Sequence, residues 1–212
     1  MGELLTTPSE LSKRAKRSDG ERSRAAILDA AAKLATIEGL DGLSIGLLAE
    51  HIGMSKSGLY AHFGSKEELQ LATIDTASAI VVREVIEPAR ATTGIARVEA
   101  LLENFLSYLE RKVFPGGCFF DAAQGELDTH PGPVKEKLME AKHSWLDYVE
   151  RTIRGAQELG ELDPEEDPAQ LAFELDAFVH LANRLFMLHD DAQALERARR
   201  GIKRRLAAAA AQ

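Results

Sequence analysis

The chain has 212 residues, a net charge of −8 and 45% hydrophobic residues, which is close to average usage and predicts a folded core. It has no apolar run near the roughly 20 residues that cross a bilayer, and its first residues lack the apolar segment of a secretory signal. We therefore expect neither membrane insertion nor secretion. The single cysteine, Cys118, excludes an internal disulfide framework and favours a reducing cytoplasm.

The charge is unevenly distributed along the chain. Residues 11–66 carry nine Lys/Arg against six Asp/Glu, whereas residues 67–212 carry 17 against 26. A mildly basic first part on an acidic second part indicates two functions in one chain.

Residues 1–20 show no apolar periodicity and are expected to form a disordered basic arm around Lys13, Arg14, Lys16 and Arg17. Such a run is usually a solvated tail, and a DNA-contacting arm is the alternative. Beyond it, helical periodicity and capping signals predict helices at 21–38, 45–52, 56–62, 66–87, 94–113, 118–129, 132–159, 168–189 and 191–209. Pro88 is expected to end the fourth helix. Without two-residue alternation, the predicted fold is all-α with about nine helices.

The second and third helices are short and are joined by a tight turn. Ala49 is small enough for a close helix crossing, Gly53 can adopt positive φ, and Leu59 can fill the angle between the helices. This spacing predicts a helix-turn-helix. We assign residues 21–66 to a three-helix DNA-binding domain and 67–212 to a ligand-binding and dimerisation domain.

The third helix carries little apolar surface, which is typical of a helix that enters the major groove. Ser55, Lys56 and Ser57 can reach bases, and Gly58 removes a side chain where DNA can approach. Tyr60 and His62 can bind phosphates. Lys66 opposes the dipole of the next helix unless an anion such as phosphate neutralises it.

Each of these residues also has a simpler interpretation. Tyr60 can pack with its hydroxyl in water, and His62 can be an ordinary surface histidine. The helix-turn-helix could also bind a partner protein, in which case its binding need not weaken steeply with salt as phosphate binding does.

Residues 25–69, AAILDAAAKLATIEGLDGLSIGLLAEHIGMSKSGLYAHFGSKEEL, resemble the DNA-binding domain of tetracycline-repressor-like (TetR-type) bacterial regulators, most specifically in LYAHFGSKEEL. The resemblance implies a homodimer whose two DNA-binding domains, here called the heads, enter successive major grooves of a palindromic operator. It implies phosphate contacts by Ser44, Tyr60, His62 and Lys66, and base contacts by Ser55, Lys56, Ser57 and Gly58. Gly46 departs from the family, which often has a polar or basic residue there.

Family members are mostly repressors that a small molecule releases by moving the helix that follows the reading head, here 66–87. The position of the operator decides between repression and activation. The family's last two helices usually form a four-helix bundle with the partner, which places the homodimer contact at about 168–205. The apolar residues of helix 168–189 occupy more than one face and support this prediction over a monomeric core helix.

The aromatic residues of the second part are candidates for a ligand cavity, with core packing as the alternative. The predicted ligand-binding residues are Phe105, Phe120, Gln124, Trp145, Phe178, His180 and Asn183. Phe119 and Tyr148 can also line such a cavity. The ligand itself is not identified.

Two further functions are alternatives. Cys118 is expected at a helix N-terminus, where the dipole can lower a thiol pKa, so a thiol-responsive regulator is an alternative to a small buried residue. An all-α enzyme is the remaining class. The sequence contains no P-loop, Rossmann or His-Glu-x-x-His motif, and we predict no catalytic residue, metal or cofactor.

Overall fold

A computed structural model describes residues 8–127 and 131–211, with side chains described for all of these except 8–19 and 127. The helices are α1 Pro8–Glu38, α2 Ile45–Ile52, α3 Lys56–His62, α4 Lys66–Val81, α5 Glu87–Ala89, α6 Gly94–Glu110, α7 Phe119–Leu127, α8 Pro133–Glu158, α9 Pro168–His189 and α10 Ala192–Ala208. A π-helical segment, Val82–Ile86, joins α4 to α5. The all-α prediction is confirmed. None of the described helices is long and apolar enough to cross a membrane.

The first helix begins earlier than predicted. The sequence indicated no regular structure before residue 21, whereas α1 already begins at Pro8. Residues 1–7 lie outside the described residues. The prediction for 8–20 is wrong because it relied on apolar periodicity alone. Lys, Arg, Ala and Glu favour helix, and extending an existing helix requires no new nucleation.

The helical segment that begins at Lys66 does not end at Pro88, contrary to the prediction. Proline lacks an N–H and collides with the carbonyl four residues earlier in a regular helix. Here the N–H of Glu87 bonds to the carbonyl of Val82, five residues back. Just before Pro88, hydrogen bonds between residues five apart replace the usual bonds between residues four apart. The helical backbone can therefore continue through Pro88 into α5.

Helices α6, α8, α9 and α10 form the body around one continuous core. Tyr108, Phe114 and Phe119 are each 1% exposed and contact one another through their ring edges and faces. Each such buried side chain contributes roughly 1.5–3 kcal/mol relative to exposure. This core fixes α6, α7 and α9 as rigid supports for the cavity described below.

The N-terminal helices are attached to the body by α4 and by α7. Glu126 Oε2 on α7 accepts the Asp41 N–H at 3.1 Å, in the loop between α1 and α2. The Gly116 N–H donates to Thr36 Oγ1 at 3.0 Å, and Gln70 Nε2 on α4 donates to the Leu40 carbonyl at 2.6 Å. The α1–α2 loop is therefore held from both sides.

Candidate nucleic-acid interface and ligand cavity

Helices α2 and α3 form the predicted helix-turn-helix. Gly53 has φ 68° and ends α2, its N–H bonding to carbonyls of the last turn. Ala49 is 2% exposed at the crossing, and Leu59 is fully buried between the two helices. All three predicted roles are confirmed. Glycine suits the turn because it adopts this left-handed backbone without a Cβ penalty.

Helix α3 is capped at its start and anchored along one side. Ser55 Oγ accepts the Gly58 N–H at 3.1 Å, a bond typical of an N-cap. Leu59 and Phe63 are fully buried, and the Arg24 guanidinium lies 4.9 Å from the centre of the Phe63 ring. A seven-residue helix keeps its orientation here through packing on α1 and α2.

The opposite side of α3 faces outward. Ser55, Lys56 and Ser57 are exposed, and Tyr60 is 58% exposed. Exposure of the Tyr60 ring argues against its interpretation as a packing residue. Gly58 and His62 are partly buried, and the His62 ring is tilted against Phe63 at 6.2 Å.

Lys56 extends back over α2 and lies close to Gly46. A Cβ atom placed on Gly46 would be 3.6 Å from Lys56 Nζ and 3.9 Å from Ser44 Oγ. Ser44 caps α2 by accepting the Leu47 N–H at 3.1 Å. The lysine therefore occupies the space that a larger residue at position 46 would use.

Lys66 is the first residue of α4, as predicted, and its charge has a partner within the chain. Its Nζ donates to the Asp41 carbonyl at 2.5 Å and lies 3.1 Å from Asp41 Oδ1. The anion expected beside this ammonium is supplied by the Asp41 carboxylate of the α1–α2 loop, and the phosphate contact of Lys66 stays a prediction. The pair is exposed, so Lys66 remains accessible.

A cavity of about 390 Å³ lies between α4 and α8, with α6, α7 and α9 closing its inner end. The predicted residues Phe105, Phe120, Trp145 and His180 line it. Tyr148 lines it as well, whereas Phe119 belongs to the core. Its apolar wall is completed by residues of α4 and the π segment: Ile74, Val81, Val82 and Ile86.

Three of the predicted ligand residues, Gln124, Phe178 and Asn183, do not line this cavity. Phe178 points to α10, where its ring would lie 2.9 Å from a Cβ on Gly201. Asn183 is buried and bonds to the Cys118 N–H and to Asp121. Gln124 lies on α7 with its Nε2 buried and without a hydrogen-bond partner in the described structure. Helical spacing could not distinguish these faces.

Of the two alternatives for Cys118, the structure favours the small buried residue over the reactive thiol. Burial raises the pKa of the thiol well above its usual value, with the nearby Asp121 charge adding to the shift. The side chain is 1% exposed. Desolvation outweighs any effect of the α7 N-terminus, so the thiolate needed for redox or electrophile chemistry is strongly disfavoured.

Family comparisons match both parts of the chain. The family described as "Bacterial regulatory proteins, tetR family" matches residues 27–73, and "Tetracyclin repressor-like, C-terminal domain" matches residues 94–202. The second match alone covers half of the chain. The chain belongs to the TetR family. It is thus a DNA-binding regulator of transcription, as the resemblance of residues 25–69 implied.

Individual proteins agree with this assignment. A TetR transcriptional regulator from Chloroflexus aurantiacus superimposes with a TM-score of 0.83 at 28% identity, covering 91% of this chain and 98% of that one. The regulator LmrA of Bacillus subtilis is 25% identical over 62% of this chain and 71% of its own length. The transcriptional activator FasR of Mycolicibacterium smegmatis is 31% identical over 49% and 48%.

In this TetR-family chain, a polar cluster closes the inner end of the cavity. His180 Nδ1 contacts Asp121, and its Nε2 lies 3.1 Å from Asp176 Oδ1. Lys142 Nζ lies 2.6 Å from Asp176 Oδ2 and 2.6 Å from His180 Nε2. Burial alone would lower the pKa of His180, but the hydrogen bonds to Asp121 and Asp176 outweigh it and raise the pKa to about 9. We call Asp121, Lys142, Asp176 and His180 the inner cluster.

Sequence reasoning identified His180 but missed the rest of the inner cluster. Lys142 lies on α8, more than 30 residues from both acceptors in sequence, and no motif marks it. Val82 and Ile86 reach the cavity through the π segment, which shifts their direction relative to a regular helix. Pro88 was the available signal, and it was interpreted as a helix end.

Helix α9 leaves an apolar stripe exposed on the outside of this TetR-family fold. Phe173 is 64% exposed, Leu181 60% and Leu188 68%, and Ala177 lies between them. These positions recur at helical spacing on the side opposite the buried Leu171, Leu175 and Ala182. We call residues 173, 177, 181 and 188 the α9 stripe.

Proposed function

We propose that the chain binds a palindromic operator as a homodimer and is released from it by a small molecule held between α4 and α8. The observation that carries the proposal is the outward face of α3, which presents Ser55, Lys56, Ser57 and Tyr60 while Leu59 and Phe63 fix the helix. Such a helix can enter the major groove, where base edges differ in their hydrogen-bond pattern.

The DNA contacts are divided between bases and phosphates. Ser55, Ser57 and the open approach at Gly58 face the bases. Ser44, Tyr60, His62 and Lys66 contact phosphates on either side of the groove, and these contacts set the register of α3. The basic residues of the α1 extension add long-range attraction for DNA.

The α9 stripe supports the homodimer. Three large apolar side chains exposed on one helix face, Phe173, Leu181 and Leu188, are typical of an interface. Two-fold pairing through α9 and α10, about residues 168–205, positions two heads on successive grooves about 34–36 Å apart.

Release follows from the position of the cavity. One wall consists of α4 and the π segment, and the other end of α4 begins at Lys66, directly after α3. A ligand that binds better to another orientation of α4 shifts the separation of the two heads. The ligand can lower DNA affinity by no more than the ratio of its own affinities for the DNA-free and DNA-bound orientations of α4.

The direction of regulation depends on where the operator lies in the promoter. Repression is the more common mode of the family, and the relative FasR is described as an activator. A thiol-responsive mode is not favoured because Cys118 is buried and its pKa is raised. DNA binding supports a cytoplasmic site of action.

Selection of bound sequences from random duplex DNA tests the proposal. We expect a palindromic motif, affinity that falls steeply with salt, and loss of binding in Tyr60→Ala. Lys33→Ala, an exposed substitution on α1 away from α3, serves as the control. Absence of any duplex preference at low salt would contradict the proposal.

A further inference from the structure

The inner cluster is asymmetric with respect to the cavity. Lys142 and His180 line the cavity, whereas Asp121 and Asp176 do not. A ligand at the inner end therefore meets the cationic side of the cluster, while the carboxylates lie behind it. A buried arrangement of this kind attracts negative charge, because the low dielectric screens it little.

Each oxygen of the two carboxylates behind this surface already has a donor from within the chain. Asp176 receives Lys142 on Oδ2 and both Trp145 Nε1, at 2.8 Å, and His180 on Oδ1. Asp121 receives His180 and Asn183. Lys142 has three N–H groups and shares its one carboxylate with two other donors. A further anion in the cavity would give Lys142 a partner of its own.

Most of the remaining lining is apolar and aromatic, and its other charged side chains, Asp75, Lys137, Glu140 and Arg151, lie on α4 and α8. The rings of Phe105 and Trp145 lie 5.1 Å apart, and Phe120, Val82 and Ile86 complete the walls. The lining carboxylates Asp75 and Glu140 belong to the exposed end, and Asp75 is paired with Lys137 at 2.7 Å. The volume of about 390 Å³ lies at the small end of the range for ligand sites.

We propose that the ligand is a small amphiphilic acid, with its carboxylate against Lys142 and His180 and its apolar body along Phe105, Trp145 and the π segment. This inference rests on the proposed ligand-released function and names the class of the effector. The apolar body then contacts Val82 and Ile86 in the π segment. Binding can therefore shift α4, which begins at Lys66 next to the recognition helix.

Two series of compounds matched in their apolar part test the class: octanoate, octylamine and octanol, and 4-phenylbutyrate with its amine and alcohol. Binding is measured by isothermal titration calorimetry on the full chain. We expect the carboxylate of each series to bind at least about tenfold more tightly than its amine and alcohol, as a charge-assisted contact requires. In Lys142→Met this preference is lost, whereas Lys33→Met retains it.

The same compounds are then added to the operator complex. Release of DNA by the carboxylates supports both the inference and the proposed function. Carboxylate binding that depends on Lys142 but leaves DNA bound upholds the ligand class and contradicts ligand release. Preference for the amines, equal binding of all three headgroups, or no binding in either series would overturn the inference. Sequence-specific DNA binding would be unaffected by that result.

Discussion

Lys56 lies on the recognition helix but extends toward Ser44, a predicted phosphate contact. This position changes the expectation for Lys56 from a base contact to a phosphate contact. We expect Lys56→Ala to weaken binding three- to tenfold for all operator sequences and to reduce the slope of log affinity against log salt by about 0.9.

Fluorescence anisotropy at several salt concentrations measures both effects, and Lys33→Ala controls for the loss of one positive charge. Gly46→Arg places a second cation in the same space, so Lys56→Ala should cost less in that background. Relaxed preference at one base pair, with an unchanged salt slope, would instead assign Lys56 to base recognition.

Asp41 competes with DNA for Lys66. Asp41→Asn removes the carboxylate that lies 3.1 Å from Lys66 Nζ and leaves the backbone acceptor in place. We expect DNA affinity to rise several-fold at low salt, because Lys66 becomes available to a phosphate. The pair is exposed, so the unfolding free energy should fall by less than about 1 kcal/mol.

Asp29→Asn, which removes an exposed carboxylate paired with Lys33 on α1, is the matched control for general charge. In a Lys66→Met background the gain from Asp41→Asn should shrink to that of the control. An equal gain with and without Lys66 would show that only the overall charge matters.

His180 makes stability depend on pH. Its pKa of about 9 in the folded state lies above the value of about 6.5 in the unfolded chain. Protonation therefore stabilises the fold fully below pH 6.5, and this contribution is lost as the pH rises through about 9. The groups that face the ring are Asp121, Asp176 and Lys142.

Urea denaturation between pH 6 and 10 measures this dependence. We expect stability to fall across this range in the native chain and to be flatter in His180→Asn. That variant should also be less stable overall, because two buried carboxylates lose a partner. His189→Asn, on the exposed end of α9, should retain the native slope. A His180→Asn curve parallel to the native one would contradict the assignment.

At the scale of the helices, Pro88 accounts for the π segment. Pro88→Ala restores an N–H that can bond in regular register, so we expect α4 to continue as an ordinary helix. The unfolding free energy should rise by about 1–3 kcal/mol. Val82 and Ile86 would then turn relative to the cavity, and binding of an apolar dye there should weaken.

Pro133→Ala is the matched control, since Pro133 occupies the first turn of α8, where proline costs little. Thermal unfolding and dye titration report the two effects. Unchanged dye affinity together with raised stability would mean that the π segment does not shape the cavity.

Local chemistry explains which elements the sequence could predict. Gly53, the Ser55 cap and Leu59 act within a few residues, so their roles follow from spacing alone. The predicted helix starts agree with the structure where a side-chain cap marks them, as at Ser44 and Asp167. The extension of α1 was missed because helix propensity leaves no apolar pattern.

Contacts between distant segments could not be predicted. Lys142 and Asp176 are 34 residues apart, and Asp41 and Glu126 are 85 apart. Their pairing depends on the crossing angles of α7, α8 and α9, which the sequence does not encode in any short motif. For the same reason, the sequence could not show that three of the predicted ligand residues do not line the cavity, since each lies on a helix whose rotation was unknown.

At the scale of the molecule, the α9 stripe and the head are linked through the body. In the proposed homodimer, one dimer contact would set the distance between two recognition helices, and each head alone would make only half of the DNA contacts. Leu181→Asp places a charge in the centre of the stripe, where a dimer would bury it without a partner. We expect the variant to sediment as a monomer and to bind the full operator at least 100-fold more weakly, because the two heads no longer bind as one unit.

Leu159→Asp provides a close control. Leu159 is 58% exposed at the end of α8, against 60% for Leu181, and it lies outside the α9 stripe. This variant should remain dimeric and bind normally. Sedimentation velocity and anisotropy, with circular dichroism to confirm folding, separate the outcomes. If Leu181→Asp remained a dimer with native affinity, the α9 stripe would not be the interface, and the spacing of the two heads would have to depend on another surface.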